Sequence, residues 1–242
     1  MRVFIVTYSL LVVVGCGGSS SDRIDSIYEL KKDPNPANIE QLRGFLDSKD
    51  ADVRVTAVNA LVTLGVDDAP QLAVDGLSDE DDFVRATSAK LVGDLDDANL
   101  SGHLVERLRS DRSALVRKRA AQALERIGGD DAGPALVRAL EDPDEDVRLA
   151  AIRGVRSLAP GEGVDRLVEI LRDDPTWEVR VQAASALGKS WRPEAREALE
   201  TAREDDVEFV RIAAEKALGE MPPPPPEPEE PATPIVDETS GE

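Results

Sequence analysis

The stretch Asp142–Ala159, DPDEDVRLAAIRGVRSLA, holds an acidic turn followed by an alanine-rich amphipathic run. One period upstream, Asp111–Gly128 reads DRSALVRKRAAQALERIG and places Val-Arg at the same offset. Working outward from these two copies, the dipeptide recurs as Val53-Arg54, Val84-Arg85, Val116-Arg117, Val147-Arg148, Val179-Arg180 and Val210-Arg211. Successive arginines are 31, 32, 31, 32 and 31 residues apart. A fixed period of roughly 20–50 residues marks a stacked repeat architecture, in which each unit buries its apolar face only against its neighbours.

Alignment on the valine shows what each unit is made of. Three residues before it stand Asp50, Asp81, Ser113, Asp144, Thr176 and Val207, of which five are good helix N-caps. Two residues earlier stand Ser48, Asp79, Asp111, Asp142, Asp174 and Asp205, five of them acids that suit the positive end of a helix dipole. Four residues after the valine come Ala57, Ser88, Ala120, Ala151, Ala183 and Ala214. Eight residues after it come Leu61, Val92, Leu124, Val155, Leu187 and Leu218. Offsets of zero, four and eight share one helical face, and small residues in its middle let neighbouring helices approach closely. Before each cap lies a second helix carrying Leu42/Leu46, Leu72/Leu77, Leu104/Leu108, Leu136/Leu140 and Leu167/Leu171, with a weaker sixth copy at Leu199 and Ala202. Gly65, Gly128-Gly129, Pro160-Gly161 and Pro193 break the chain between units. Each repeat is therefore expected as helix A, acidic turn, helix B.

This pattern resembles the HEAT-like repeats of the phycobilisome-lyase type, a short bacterial variety of HEAT repeat. The resemblance covers roughly residues 36–219 and recurs six times in register. It implies an all-α, right-handed solenoid of about six two-helix repeats, with the B helices lining its concave surface. Arg23–Lys32 reads as a half repeat, because Ser26 and Leu30 fall one period before Ala57 and Leu61. Terminal units that cap the open core are expected in such arrays.

The two ends read differently. Val3–Val14 is apolar apart from Thr7, Tyr8 and Ser9, too short to span a bilayer and of signal-peptide character. It ends in Val13-Val14-Gly15-Cys16, which resembles a bacterial lipobox. That resemblance implies lipidation of the Cys16 thiol and cleavage after Gly15; several acyl chains would anchor the protein durably. The same resemblance implies, from Gly17 in place of aspartate, sorting to the outer membrane if the host has one. Met221–Glu242 holds eight of the sixteen prolines, six acids and no base, and is expected to be a disordered polyproline-like spacer or a ligand for another domain. The expected organisation is a signal peptide at 1–15, an acylated tether at 16–22, a capping helix at 23–35, the solenoid at 36–221 and the tail at 222–242.

Chemistry is sparse. Cys16 is the one cysteine and His103 the one histidine, so no usual nucleophile triad has its base and the structural zinc spacings are absent. No Gly-rich phosphate loop follows an expected strand. Two enzyme families use this repeat. Deoxyhypusine hydroxylase needs several His-Glu pairs for iron, which this chain lacks, so that activity is excluded on sequence. The phycobilin lyases handle a tetrapyrrole on a partner. The chain is accordingly expected to be no enzyme and to need no cofactor or metal.

With a formal charge of −20 the chain is a poor phosphate-backbone binder, and no nucleic-acid partner is expected. The helix B bodies run against this trend. Lys90, Lys118, Arg119, Arg126, Arg153, Arg156, Lys189 and Lys216 face only Asp94, Glu125 and Glu215 there. These cations form either an ordinary solvated face or a basic groove for an acidic partner segment. Trp177 and Trp191 bracket one helix; each packs across inter-repeat loops or contacts a partner. The reading is a membrane-tethered, non-enzymatic scaffold of the bacterial envelope, lipidated at Cys16 and binding another protein through Lys118, Arg119, Arg153, Arg156 and Trp177. The alternative is a phycobilin-lyase-like helper acting on a partner's chromophore or cofactor.

Overall fold

The structure is a computed structural model and describes residues 19–190 and 192–221. Cys16, Trp191 and the tail at 222–242 lie outside the described residues, and so do the leader and lipidation expectations. The chain forms two compact units, one ending at Ala159 and the other beginning at Pro160.

The first unit holds α1 (Ser20–Lys32), α2 (Pro36–Gly44), α3 (Ala51–Leu64), α4 (Ala69–Gly76), α5 (Asp82–Asp94), a 3-10 turn (Ala98–Leu100), α6 (Ser101–Ser110), α7 (Ala114–Ile127), α8 (Ala132–Ala139) and α9 (Glu145–Leu158). The second holds α10 (Val164–Asp173), α11 (Trp177–Leu187), α12 (Pro193–Ala202) and α13 (Glu208–Glu220). Every regular element among the described residues is helical, and both units are all-α solenoid segments. Even-numbered helices are the A helices and odd-numbered ones the B helices. Each A helix packs on the B helix that follows it. Successive B helices pack on each other from α1 through α9, and α11 packs on α13. α1 thus fills the place of a B helix ahead of α2.

Burial follows the columns. The six valines of the Val-Arg pairs are all buried, and Ala57, Ser88, Ala120, Ala151, Ala183 and Ala214 are fully so. Leu61, Val92, Leu124, Val155 and Leu187 are also buried, whereas Leu218, with no described repeat beyond it, is half-buried. The small column has the effect its composition implies. A Cβ on Gly93 of α5 would come within 2.8 Å of the Ala123 Cβ and 3.0 Å of its Cα on α7, so these two helices meet backbone to side chain. Ser88 is the exception in chemistry: its hydroxyl is buried and has no hydrogen-bond partner among the described residues.

The ends of the B helices divide expectation from outcome. Asp50, Asp81 and Asp144 cap as anticipated, their carboxylates accepting from first-turn N–H groups. Ser113 and Thr176 make no side-chain cap bond. The Ser113 hydroxyl instead donates to Asp82 of the preceding repeat at 2.8 Å. A cap residue with a strong acceptor one period away is drawn off its own helix. α3 closes on Gly65 at φ 67°, a left-handed position that glycine occupies without Cβ strain. Asp96 takes the same position after α5 at φ 54°.

Candidate functional site

The turn between A and B helices is built by the arginine of each Val-Arg pair. Arg85 donates from Nη1 to the Asp79 carbonyl of its own repeat at 2.9 Å. Its Nε and Nη2 reach forward to both carboxylate oxygens of Asp111 in the next repeat, at 2.8 and 2.9 Å. Arg54 makes the same three bonds to Ser48 and Asp79, Arg117 to Asp111 and Asp142, and Arg180 to Asp174 and Asp205. The receiving aspartates also accept from the backbone N–H two residues on, which fixes the turn. A guanidinium fork matched to a carboxylate is the geometry in which an ion pair is strongest. Burial pushes the Asp79 and Asp111 carboxyls up, and the arginine forks and turn N–H groups pull them further down, so both sit below the ordinary carboxylate range. The acid column assigned above to helix dipoles is therefore a row of arginine receptors. The signal that could have found it is the constant 25 or 26 residues from each arginine to its receptor.

The cations expected to bind a partner follow the Val-Arg pairs along the bodies of the B helices. Lys118 and Arg119 are on α7, and Arg153 and Arg156 are on α9. Acids of neighbouring repeats interleave with them. Lys118 pairs with Asp146 at 2.9 Å, Arg153 approaches Glu125 at 3.9 Å, and Arg126 pairs with Asp94. These pairs are partly solvated and add little stability. Between α5 and α7 the balance stays positive. Lys90, Arg119 and Arg126 line a shallow groove of about 100 Å³ with Asp94 as the one carboxylate, over a floor of Gly93 and Ala123. Arg119 donates there to the neutral Gln122 amide oxygen at 3.1 Å. In the second unit, α10 and α12 flank a larger cleft of about 520 Å³, apolar at Val168, Leu171 and Ala198. Glu194, Glu197 and Glu204 outnumber Arg172 on its rim, the wrong sign for an acidic partner.

Trp177 opens α11 and stacks on Phe209 of α13, with ring centroids 5.2 Å apart and planes at 25°. Trp177 is 37% exposed and Phe209 63% exposed, so the pair packs across repeats and still presents an aromatic surface. His103 is exposed near the start of α6. Among the described residues no three His, Cys, Asp or Glu side chains are grouped to hold a metal ion.

Comparison with known proteins gives three findings. The family model described as HEAT repeats matches residues 18–96, 101–175 and 164–235. The curated deoxyhypusine hydroxylase of Eremothecium gossypii is 29% identical over 145 residues, 56% of this chain and 45% of that protein. The chain therefore spans less than half the length of that relative. Among solved structures, Escherichia coli YibA superposes with a TM-score of 0.58 at 24% identity, covering 84% of this chain and 76% of that one. The CpcE–CpcF complex of phycocyanin lyase from Nostoc gives 0.51 at 24% identity, covering 63% and 99%. These two likenesses show the fold. The hydroxylase match corrects one expectation: the curated relative is an enzyme, so the reading of this chain as no enzyme is overturned. That reading rested on the absence of recognisable catalytic groups, the His-Glu pairs among them, and the match reaches a curated enzyme all the same.

Proposed function

The chain belongs to the HEAT-repeat family, and from that premise we propose that it is a scaffold that holds a partner protein on the B-helix face of its first unit. Repeat solenoids of this kind bind other proteins or peptides on extended concave surfaces. The observation that carries the choice of face is the groove of Lys90, Arg119 and Arg126 around a single carboxylate, in a chain whose net charge is −20. Charge of one sign in a concavity focuses field and speeds encounter with a partner of opposite sign, here an acidic segment. Lys118, Arg153 and Arg156 extend the face, and Trp177 offers a separate aromatic contact on the second unit. The proposal includes a tether: acylation at Cys16 holds the scaffold on the bacterial envelope, at the outer membrane where the host has one. Support for the tether is the lipobox-like run ending at Cys16. Two variants test these parts separately. Cys16→Ser should release the protein from membranes, and processing of that variant with retention on membranes would refute the tether. Reversing Arg119 and Arg153 to Glu should slow partner association and flatten its salt dependence. An unchanged association rate in a folded double variant would refute the face.

A second reading is action on a cofactor or chromophore of a partner protein held by the same repeats; the hydroxylase match supports its enzymatic part. A pigmented complex on purification from the native cell would favour it, and a colourless one would count against it.

A further inference from the structure

Two pairs of A helices enclose the same cleft at two places in the chain, and the copies differ. In the first unit α6 and α8 bound a cleft of about 160 Å³, with Val105, Leu108 and Ala135 in its lining. In the second unit α10 and α12 bound about 520 Å³, with Val168, Leu171 and Ala198 two periods after those three. The apolar floor is thus a property of the repeat. Two positions around it are not. Thr201 stands where the first unit lines the cleft with Arg138, and the shorter side chain leaves the space open. Glu197 stands two periods after Pro134 and adds a carboxylate to the lining. The wider cleft falls within the ~300–1,000 Å³ usual for ligand sites, and the narrower one falls below it.

The sign of the charge changes with the volume. The first cleft is balanced, Arg109 and Arg138 against Glu141 and Asp142. The second has Glu194, Glu197, Glu204 and Asp205 against Arg172. Asp205 is held in the Arg180 fork, one rung of the arginine ladder that joins successive repeats. Glu194 is met by Arg192 at 3.3 Å, and Arg172 pairs with Asp173 at 2.7 Å. Glu197 and Glu204 are exposed, and among the described residues no cation pairs with either. At a helical rise of ~1.5 Å per residue they stand roughly 10 Å apart on the α12 side of the apolar floor. We propose that the α10–α12 cleft is a second docking site, for a basic segment of a partner protein that seats an apolar side chain on Val168, Leu171 and Ala198 and sets Lys or Arg against Glu197 and Glu204. Basic residues three apart on an extended segment, at ~3.3 Å per residue, match the separation of the two carboxylates. The site is opposite in sign to the groove of Lys90, Arg119 and Arg126, so the two units select oppositely charged segments.

Fluorescence anisotropy of a labelled peptide of Lys-Leu-Leu-Lys units, titrated with the full-length chain, tests this. The Glu197→Gln, Glu204→Gln double variant should bind about tenfold more weakly, as expected for loss of charge-assisted contacts. Thr201→Arg, which restores the residue of the narrower cleft, should weaken binding at least as much. All three side chains are exposed, so the repeat cores stay intact. Glu178→Gln with Glu208→Gln, exposed acids at the starts of α11 and α13, should bind as wild type. Hydrogen exchange with peptide bound should slow at α10 and α12. Absence of binding, or slowed exchange confined to other helices, would overturn the proposal. So would an equal loss in the Glu178, Glu208 variant, which would reduce the contact to net charge, or equal binding of a Gln-Leu-Leu-Gln peptide, which would leave only apolar contact. A wild-type chain that sediments as a dimer and a Thr201→Arg chain that sediments as a monomer would overturn it too, because a second copy would then fill the cleft.

Discussion

Replacing Asp111 with alanine removes three bonds at once. Arg85 loses both fork contacts, at 2.8 and 2.9 Å, and the Ser113 N–H loses its acceptor at 2.9 Å. Both charged side chains are nearly inaccessible, 6% exposed for Arg85 and 3% for Asp111. The guanidinium is left charged and largely buried beside Asp79, to whose carbonyl it still donates. Removing one member of a buried pair costs ~3–5 kcal/mol, most of it the penalty on the partner left behind. Arg43 and Asp68 also form a two-point ion pair, through Nη1 and Nη2 at 2.7 Å each, but with 32% and 45% exposure. Solvent screens that pair, so Asp68→Ala should fall far short of Asp111→Ala. Urea titrations of the two variants, followed by far-UV circular dichroism, give the comparison. Because the rung joins the second repeat to the third, exchange protection should fall first at α5 and α7. Equal small losses in the two variants would refute the view that the ladder holds the repeats together.

Ser88→Ala should stabilise the protein by ~1 kcal/mol in the same titration, because it removes a buried hydroxyl that has no partner among the described residues from a column otherwise made of alanine. Leu124→Ala should cost ~2–5 kcal/mol, since the side chain is fully buried in the B-helix core; denaturation midpoints at constant slope would show it. The ladder also sets an acid limit. Asp79, Asp111 and Asp205 are held below their ordinary value, so the folded state binds fewer protons there than the unfolded chain. Their contribution is fully present above the ordinary carboxylate value and is lost as pH falls through the lowered one. The melting temperature should hold near neutrality and drop below about pH 4, with a shallower drop in Asp111→Asn.

What the sequence shows and what it hides have physical causes. The valine, alanine and leucine columns were legible because burial imposes a helical period on residue type, and their burial in the structure follows it column by column. The ladder was not, because its partners are 25 or 26 residues apart and both are charged, a pairing that periodicity of hydrophobicity cannot see. Ser113 looked like a cap until Asp82 of the preceding repeat was placed within reach of its hydroxyl. The positive bias of the B helices was legible as a count, but its partial neutralisation by Asp146, Glu125 and Asp94 appears only when successive helices are stacked. The Trp177–Phe209 stack joins two positions that occupy different columns of the repeat.

The central claim is that the B-helix face of the first unit holds an acidic segment of a partner protein. The direct measurement places a photo-crosslinking residue at Gln122, on the wall of the groove formed by Lys90, Arg119 and Arg126, in the native cell. Mapping the crosslinked peptide by mass spectrometry should return one partner, joined through an acidic stretch, and the product should vanish when Arg119 and Arg126 are reversed to Glu. A crosslink that survives the reversal in a folded protein, or one that maps to a basic or apolar stretch, would contradict the account.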